Sequence, residues 1–226
     1  MYDTLEPHLT AMRLTPYLAA EKGHRKNAIR LYQWNIELSG AVYQALHVVE
    51  VVLRNAIDEQ LCRWNATQIN SRTGSPLRSE WLLDPAPLLT RLVRAKELDV
   101  SRRRAEQAVR QQKRPVAHAD LLAQLSFGTW RFLLPDKDAG RKLLWEEATK
   151  DAFPYLERSP AELVKSIDGI YRLRNRVAHL EPLLNKGNVR KQFENMRTVL
   201  REIDPDVEKW FVSIQKVTTE LRNSPR

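Results

Sequence analysis

The stretch Tyr171-Arg-Leu-Arg-Asn-Arg-Val-Ala-His-Leu-Glu-Pro182 closes a segment in which Leu163, Ile167, Ile170 and Leu173 recur at spacings of three and four. That period puts the apolar residues on one face of a helix. Ser159-Pro160 supplies an N-cap and a first helical position, with Glu162 near the positive end. Pro182 disfavours helical geometry at Glu181, so the helix is predicted to end near His179 or Leu180. Asn175 and His179, four apart, share a face, and Arg174 and Arg176 flank Asn175. Arg172 and Arg176 form a second pair at the same spacing.

An imidazole in the last turn of a helix lies near the negative end of the dipole, which favours its protonated form. Beside guanidinium groups it suits acid–base work on a phosphodiester, a chemistry that needs no metal. The same residues also have a plainer reading. A terminal histidine often serves as a C-cap, and arginines there complement the dipole.

Composition sets the frame for this helix. The chain of 226 residues is long enough for one sizeable domain. Glycine is scarce, with 7 residues, and Val and Ile do not fall into alternating runs, so an all-α fold with a real core is expected. Lys and Arg outnumber Asp and Glu by 37 to 28, a formal charge of +9. An excess of this sign favours polyanions through counterion release, with nucleic acid the first candidate and an anionic membrane the second. No lysine-rich amphipathic terminal helix supports the membrane.

Cys62 is the only cysteine, which excludes an intramolecular disulfide and fits a reducing compartment. It falls beside Leu61 and Trp64 and reads as a buried thiol. There is no signal-peptide pattern at the N-terminus, and no apolar run is judged long enough to span a membrane, so a cytoplasmic location is the default. No metal cluster, glycine-rich phosphate loop or Ser/Cys nucleophile constellation is evident. Metallonuclease, NTPase and hydrolase readings therefore rank low, and no cofactor or metal is expected.

Along the chain, residues 1–25 form a lead-in that Pro16 should kink or split. A long helix is predicted from about Lys26 to Trp64, with a bend or break at Ser39-Gly40. His47, Glu50, Arg54 and Asp58 recur on its other side as a solvated stripe of i, i+4 pairs. Asn65–Arg78 reads as a loop carrying Arg72 and Arg78, and helix resumes at Pro87. The densest basic cluster follows, with Arg102, Arg103, Arg104, Arg110, Lys113 and Arg114. It offers phosphate contacts without interleaved aromatic residues for base stacking, or else it is a solubilising helix face. Pro115–Leu134 reads as one compact apolar helix, with His118 a capping or surface residue. Two amphipathic helices are expected within 185–226, ending in a frayed Leu221–Arg226. No linker separates two cores, so 1–226 is taken as a single domain.

Arg174-Asn175-x-x-x-His179 resembles the R-x(4–6)-H motif of the HEPN superfamily. The longer string Leu-Arg-Asn-Arg-Val-Ala-His-Leu-Glu-Pro-Leu183 resembles the signature of its Abi-like (abortive infection) branch. So do Leu31-Tyr-Gln-Trp-Asn-Ile-Glu-Leu-Ser39 running into Glu50-Val-Val-Leu-Arg-Asn-Ala-Ile57, and Leu125-Ser-Phe-Gly-Thr-Trp130. The resemblance covers roughly residues 5–185; Leu180 departs from it where a second histidine is expected. It implies a HEPN-like helical bundle with extra terminal helices. It also implies a metal-independent endoribonuclease of phage defence or a toxin system, cutting RNA by 2′-hydroxyl attack to leave a 2′,3′-cyclic phosphate. His179 would be general base or acid, Arg174 would stabilise the phosphorane, and Asn175 would position either. Arg54-Asn55-Ala-Ile-Asp-Glu59 echoes the motif, so Glu50, Arg54, Asn55 and Arg176 are candidate supports, with Glu50 orienting Arg54 or His179. One motif brings one histidine, so a homodimer is implied. RNA is the expected partner, with an antitoxin or a partner non-coding RNA besides. The alternatives are a non-catalytic RNA-binding protein that holds such an RNA, and a helical interaction protein.

Overall fold

A computed structural model describes residues 2–225, and among them the chain is all-α. The helices are α1 (Tyr2–Leu9), α2 (Ala11–Ala20), α3 (Arg25–Asn65), α4 (Pro87–Val93), α5 (Ala95–Val109), α6 (His118–Leu122), α7 (Phe127–Leu133), α8 (Ala139–Glu147), α9 (Pro160–Ala178), α10 (Lys186–Ile203), α11 (Pro205–Ile214) and α12 (Val217–Arg222). Short 3-10 turns follow α5 and α8. Ile69 and Pro76 make an isolated antiparallel bridge in the loop after α3.

The core is laid along α3. Its 41 residues span about 60 Å at the usual helical rise. Leu31, Leu38, Val42, Val49, Leu53, Ile57 and Leu61 form a buried stripe, against which α2, α9, α10 and α12 pack. One main apolar cluster runs from Tyr17 to Leu221, and Tyr2, Leu14 and Ile29 make a small second one under α1. By length and composition α3 could cross a bilayer, contrary to the sequence expectation. Its apolar stripe packs in this core instead.

Several expected breaks move. Ser39-Gly40 does not interrupt α3, because Leu38, Ala41 and Val42 on either side are all buried and tertiary packing overrides the weak helix formers. Pro16 does not split the lead-in either; it sits inside α2, and the break falls at Thr10, whose φ is 64°. The carbonyl that Pro16 leaves free belongs to Met12, on the exposed face, where water can take it. The single helix expected over Pro115–Leu134 is two, α6 and α7. Leu125 and Phe127 would point roughly 200° apart on a continuous helix. Both are buried, and the bend between α6 and α7 turns both inward.

At the C-terminus α12 runs on to Arg222, two residues into the stretch expected to fray, and residues 223–225 are non-helical. Leu221 is buried, and Trp34 Nε1 donates to the Glu220 carbonyl at 2.7 Å. Arg226 lies outside the described residues.

Two glycines test this packing in opposite directions. A Cβ on Gly40 would meet nothing within 4 Å, so Gly40→Ala should raise the unfolding free energy by about 0.5–1 kcal/mol in chemical denaturation. A helix broken there would give the opposite sign. A Cβ on Gly169 would run into Gln192 Oε1, which is itself held by Asn195 Nδ2 at 2.7 Å. Gly169→Ala should therefore destabilise by about 1–3 kcal/mol.

Candidate functional site

The motif helix α9 starts as its sequence prescribes. Ser159 Oγ accepts from Glu162 N–H, and Glu162 accepts from Ser159 N–H at 3.0 Å, a reciprocal capping box with Pro160 at the first position. Two half-buried ion pairs then hold the helix in place. Arg131 of α7 forms a bidentate pair with Asp168, its Nη2 at 2.7 Å from Oδ2. Arg158, just before α9, grips Glu202 of α10 at 2.6 and 2.9 Å and also donates to Ser166 Oγ at 2.7 Å.

The far end of α9 is a left-handed turn. His179 is the C-cap, with its N–H bonded to the Asn175 carbonyl at 2.9 Å. Leu180 takes φ 55°, Leu180 N–H reaches the Val177 carbonyl and Glu181 N–H reaches the Arg176 carbonyl. This is the Schellman pattern, built here without glycine. Arg176 belongs to this turn: its Nη2 donates to the Pro182 carbonyl at 2.5 Å and its Nε lies 3.3 Å from Glu181. The next residue, Leu183, donates its N–H to Asn35 Oδ1 at 2.7 Å. Asn35 is buried on α3 and so ties the motif's exit to the central helix. Nothing local in the sequence singles out Asn35, because its partner is 148 residues away.

Arg174, alone of Arg174, Asn175 and His179, lines a cleft of about 400 Å³ between α3 and α9, with Tyr43, His47, Glu50, Arg54 and Ala178 among its other walls. Glu50, expected beside Arg54 or His179, shares the cleft with Arg54, and its Oε2 lies 3.8 Å from Arg174 Nε. Arg54 shares the cleft, its Nε donating to Asn55 Oδ1 at 3.4 Å, while Asn55 itself is exposed. Glu59, the counterpart of His179 in the echo, pairs with Arg63 instead. His47, on the stripe expected to be solvated, is exposed and lines the same cleft as Arg174. His179 is exposed one residue beyond Ala178 and is not among the lining residues. Among the described residues, neither its ring nor the Asn175 amide has a side-chain hydrogen bond.

The basic cluster divides. Arg102, Arg110 and Arg114 line a second cleft of about 540 Å³ with Arg78, over a floor that includes Leu83, Val109, Val116 and Leu121. Arg114 makes a bidentate pair with Asp120, at 2.6 and 2.8 Å, and these bonds hold the Asp120 carboxyl down at about 2. Arg103, Arg104 and Lys113 are exposed outside the lining.

A third cluster lies deeper. His118 opens α6, and its Nε2 is 2.9 and 3.0 Å from the two Asp58 oxygens and 3.7 Å from Cys62 Sγ. Trp81 Nε1 also donates to Asp58 Oδ1, at 2.8 Å. Burial pulls the His118 pKa down, but the bonds to Asp58 and Cys62 outweigh it and hold the ring at about 9. The surface or capping role expected for His118 is thus replaced by a buried contact, and Asp58 is drawn away from Arg54. His118 and Asp58 are 60 residues apart, beyond the reach of a spacing argument.

No family model matches the chain, and no match is found among curated proteins or solved structures.

Asn35→Ala should leave the buried Leu183 N–H without its acceptor and cost about 1–3 kcal/mol in denaturation. Hydrogen exchange should speed up at Leu180, Glu181, Leu183 and Leu184 ahead of α9 itself. Uniform exchange along the helix would show that the bond does not anchor the turn.

Proposed function

We propose that the chain is a metal-independent endoribonuclease of the HEPN type, Abi-like, acting in phage defence or as a toxin in the cytoplasm. What carries this reading is the pairing of Glu50 with Arg174 at the wall of a cleft beside the α9 terminus. A carboxylate at 3.8 Å aims the guanidinium without a tight bidentate lock, leaving donors for a phosphate. Arg54 adds a second cation to the same space, suited to the charge that develops on a phosphorane.

In the proposed reaction a base takes the proton of the RNA 2′-hydroxyl, and the oxygen attacks the adjacent phosphorus. An acid then protonates the departing 5′-oxygen. The products are a 2′,3′-cyclic phosphate and a 5′-hydroxyl. His179 serves as one of these two groups, and Asn175, one turn before it, positions it or Arg174. The other group comes from His47, in the cleft that Arg174 lines, or from a second copy of the chain across a two-fold axis.

The test is incubation of the purified chain with total RNA in EDTA, followed by analysis of the ends. Wild type should cut and leave 2′,3′-cyclic phosphate. His179→Ala should lose roughly 10²–10⁴-fold in rate, with Arg174→Ala similarly impaired. Equal cutting by wild type and His179→Ala would sink the mechanism. Loss in His47→Ala would assign the second group to this cleft, and full activity would assign it to the second copy.

A second reading, a non-catalytic protein that holds an RNA, draws on the cleft at Arg78, Arg102, Arg110 and Arg114. Cations over an apolar floor suit phosphate and base together. The double variant Arg102→Ala/Arg110→Ala should weaken RNA binding and lower the slope of log K against log salt by about 1.4, near 0.7 for each phosphate no longer neutralised. An unchanged slope would place the RNA elsewhere. Tight binding that survives His179→Ala, with no cutting by either protein, would favour this second reading.

A further inference from the structure

Asp58 and Cys62 stand four apart on α3, and His118 reaches them from the start of α6. One donor atom from each lies within 4.8 Å of the other two. The arrangement is not a catalytic triad. In a nucleophilic triad the cysteine and the carboxylate address opposite nitrogens of the ring, whereas here both address Nε2. That nitrogen carries at most one proton, yet two carboxylate oxygens and a sulfur converge on it. A three-centre N–H to the carboxylate leaves the sulfur, at 3.7 Å, poorly served, whereas a cation among them engages all three residues.

We propose that Asp58, Cys62 and His118 bind a thiophilic divalent transition-metal ion of the zinc class, clamping α6 to α3. Thiolate, imidazole and carboxylate are the ligand types such an ion takes. A tetrahedral centre with metal–sulfur near 2.3 Å and metal–nitrogen near 2.0 Å sets those two atoms roughly 3.5 Å apart. The Sγ–Nε2 separation is 3.7 Å. The sulfur argues against magnesium and calcium, which prefer all-oxygen sites. With Cys62 as thiolate, its proton passing to solvent, the two anions balance a 2+ ion, and the half-buried cluster is neutral. Trp81 fixes the ligand carboxylate by taking one lone pair of Oδ1, leaving another for the metal. The second Asp58 oxygen or a water completes the coordination. The clamp also suits its place: α6 has five residues and is too short to hold its position by its own hydrogen bonds. The site lies two turns along α3 from Glu50 and is independent of the ribonuclease reading.

The single cysteine makes the test unambiguous. The full chain, reduced and stripped of metal, is titrated with Co²⁺. Wild type should take up one equivalent and develop a thiolate-to-cobalt charge-transfer absorption, which Zn²⁺ then removes. Cys62→Ser should lack that absorption while keeping the helical circular dichroism of wild type. Zn²⁺ at about 100 times its dissociation constant should raise the melting temperature by roughly 5–10 °C, and in Cys62→Ser should not. No absorption in wild type, or one that persists in Cys62→Ser, would overturn the proposal. If stripping unfolds the chain, elemental analysis of the protein as purified decides instead: one zinc per chain supports the site, and no metal overturns it.

Discussion

Burial of the α3 stripe is the constraint that the rest of the chain answers to. An isolated helix of this composition leaves Leu31, Leu38, Val49, Leu53 and Ile57 in water, and each is worth about 1.5–3 kcal/mol when covered. Helices from both ends of the sequence cover them: α2 from before, and α9, α10 and α12 from after. This is why α9, which carries the candidate motif, lies along the same helix as Glu50 and Arg54. The cleft is a by-product of that packing, opening where the polar side of α3 turns out from under α9. Side chains on one rigid helix then face side chains on another, and the geometry between them is set by the core rather than by a loop.

What could be read from the sequence was what is written within a few residues. Ser159, Pro160 and Glu162 announced the start of α9, and Pro182 its end, because caps are local chemistry. The all-α class followed from periodicity. The cleft was legible by halves. Arg174 and Arg54 stand out from strings alone, but that Glu50 would turn to Arg174 depended on how α3 and α9 cross. Asn35, His47 and His118 escape such a reading for the same reason: each acts through a partner, or a shared wall, supplied by a distant part of the chain. The errors at Ser39-Gly40 and Pro16 are of another kind. There the local propensity is real, but the core on one side and water on the other outweigh it.

The polar features also separate by depth, and with depth goes their role. Arg131–Asp168 and Arg158–Glu202 are largely covered, make paired hydrogen bonds and brace α9 from two sides. Arg102 and Arg110 stand open on the wall of their cleft with no ion pair among the described residues. The Glu50–Arg174 pair falls between, about a third exposed on the arginine and a quarter on the glutamate, at a distance too long for a hydrogen bond. A pair of that kind contributes little to stability and stays available to an incoming anion. Structural and accessible charges thus occupy different layers of one bundle, although arginine carries the positive charge in each.

The central helix has a further consequence during synthesis. α3 is complete once Asn65 is made, but α9 is not finished until Ala178. At about 5–20 residues per second that interval is roughly 6–20 s. Throughout it the nascent chain carries a long apolar stripe of which only part, under α2, can be covered before the later helices are made, on a helix apolar enough to pass for a membrane segment. Trp34 waits longer still, for Glu220. The spine of the finished protein is therefore the part of the growing one that most needs a chaperone. The same delay means that Arg174 does not meet Glu50 until most of the chain has been made.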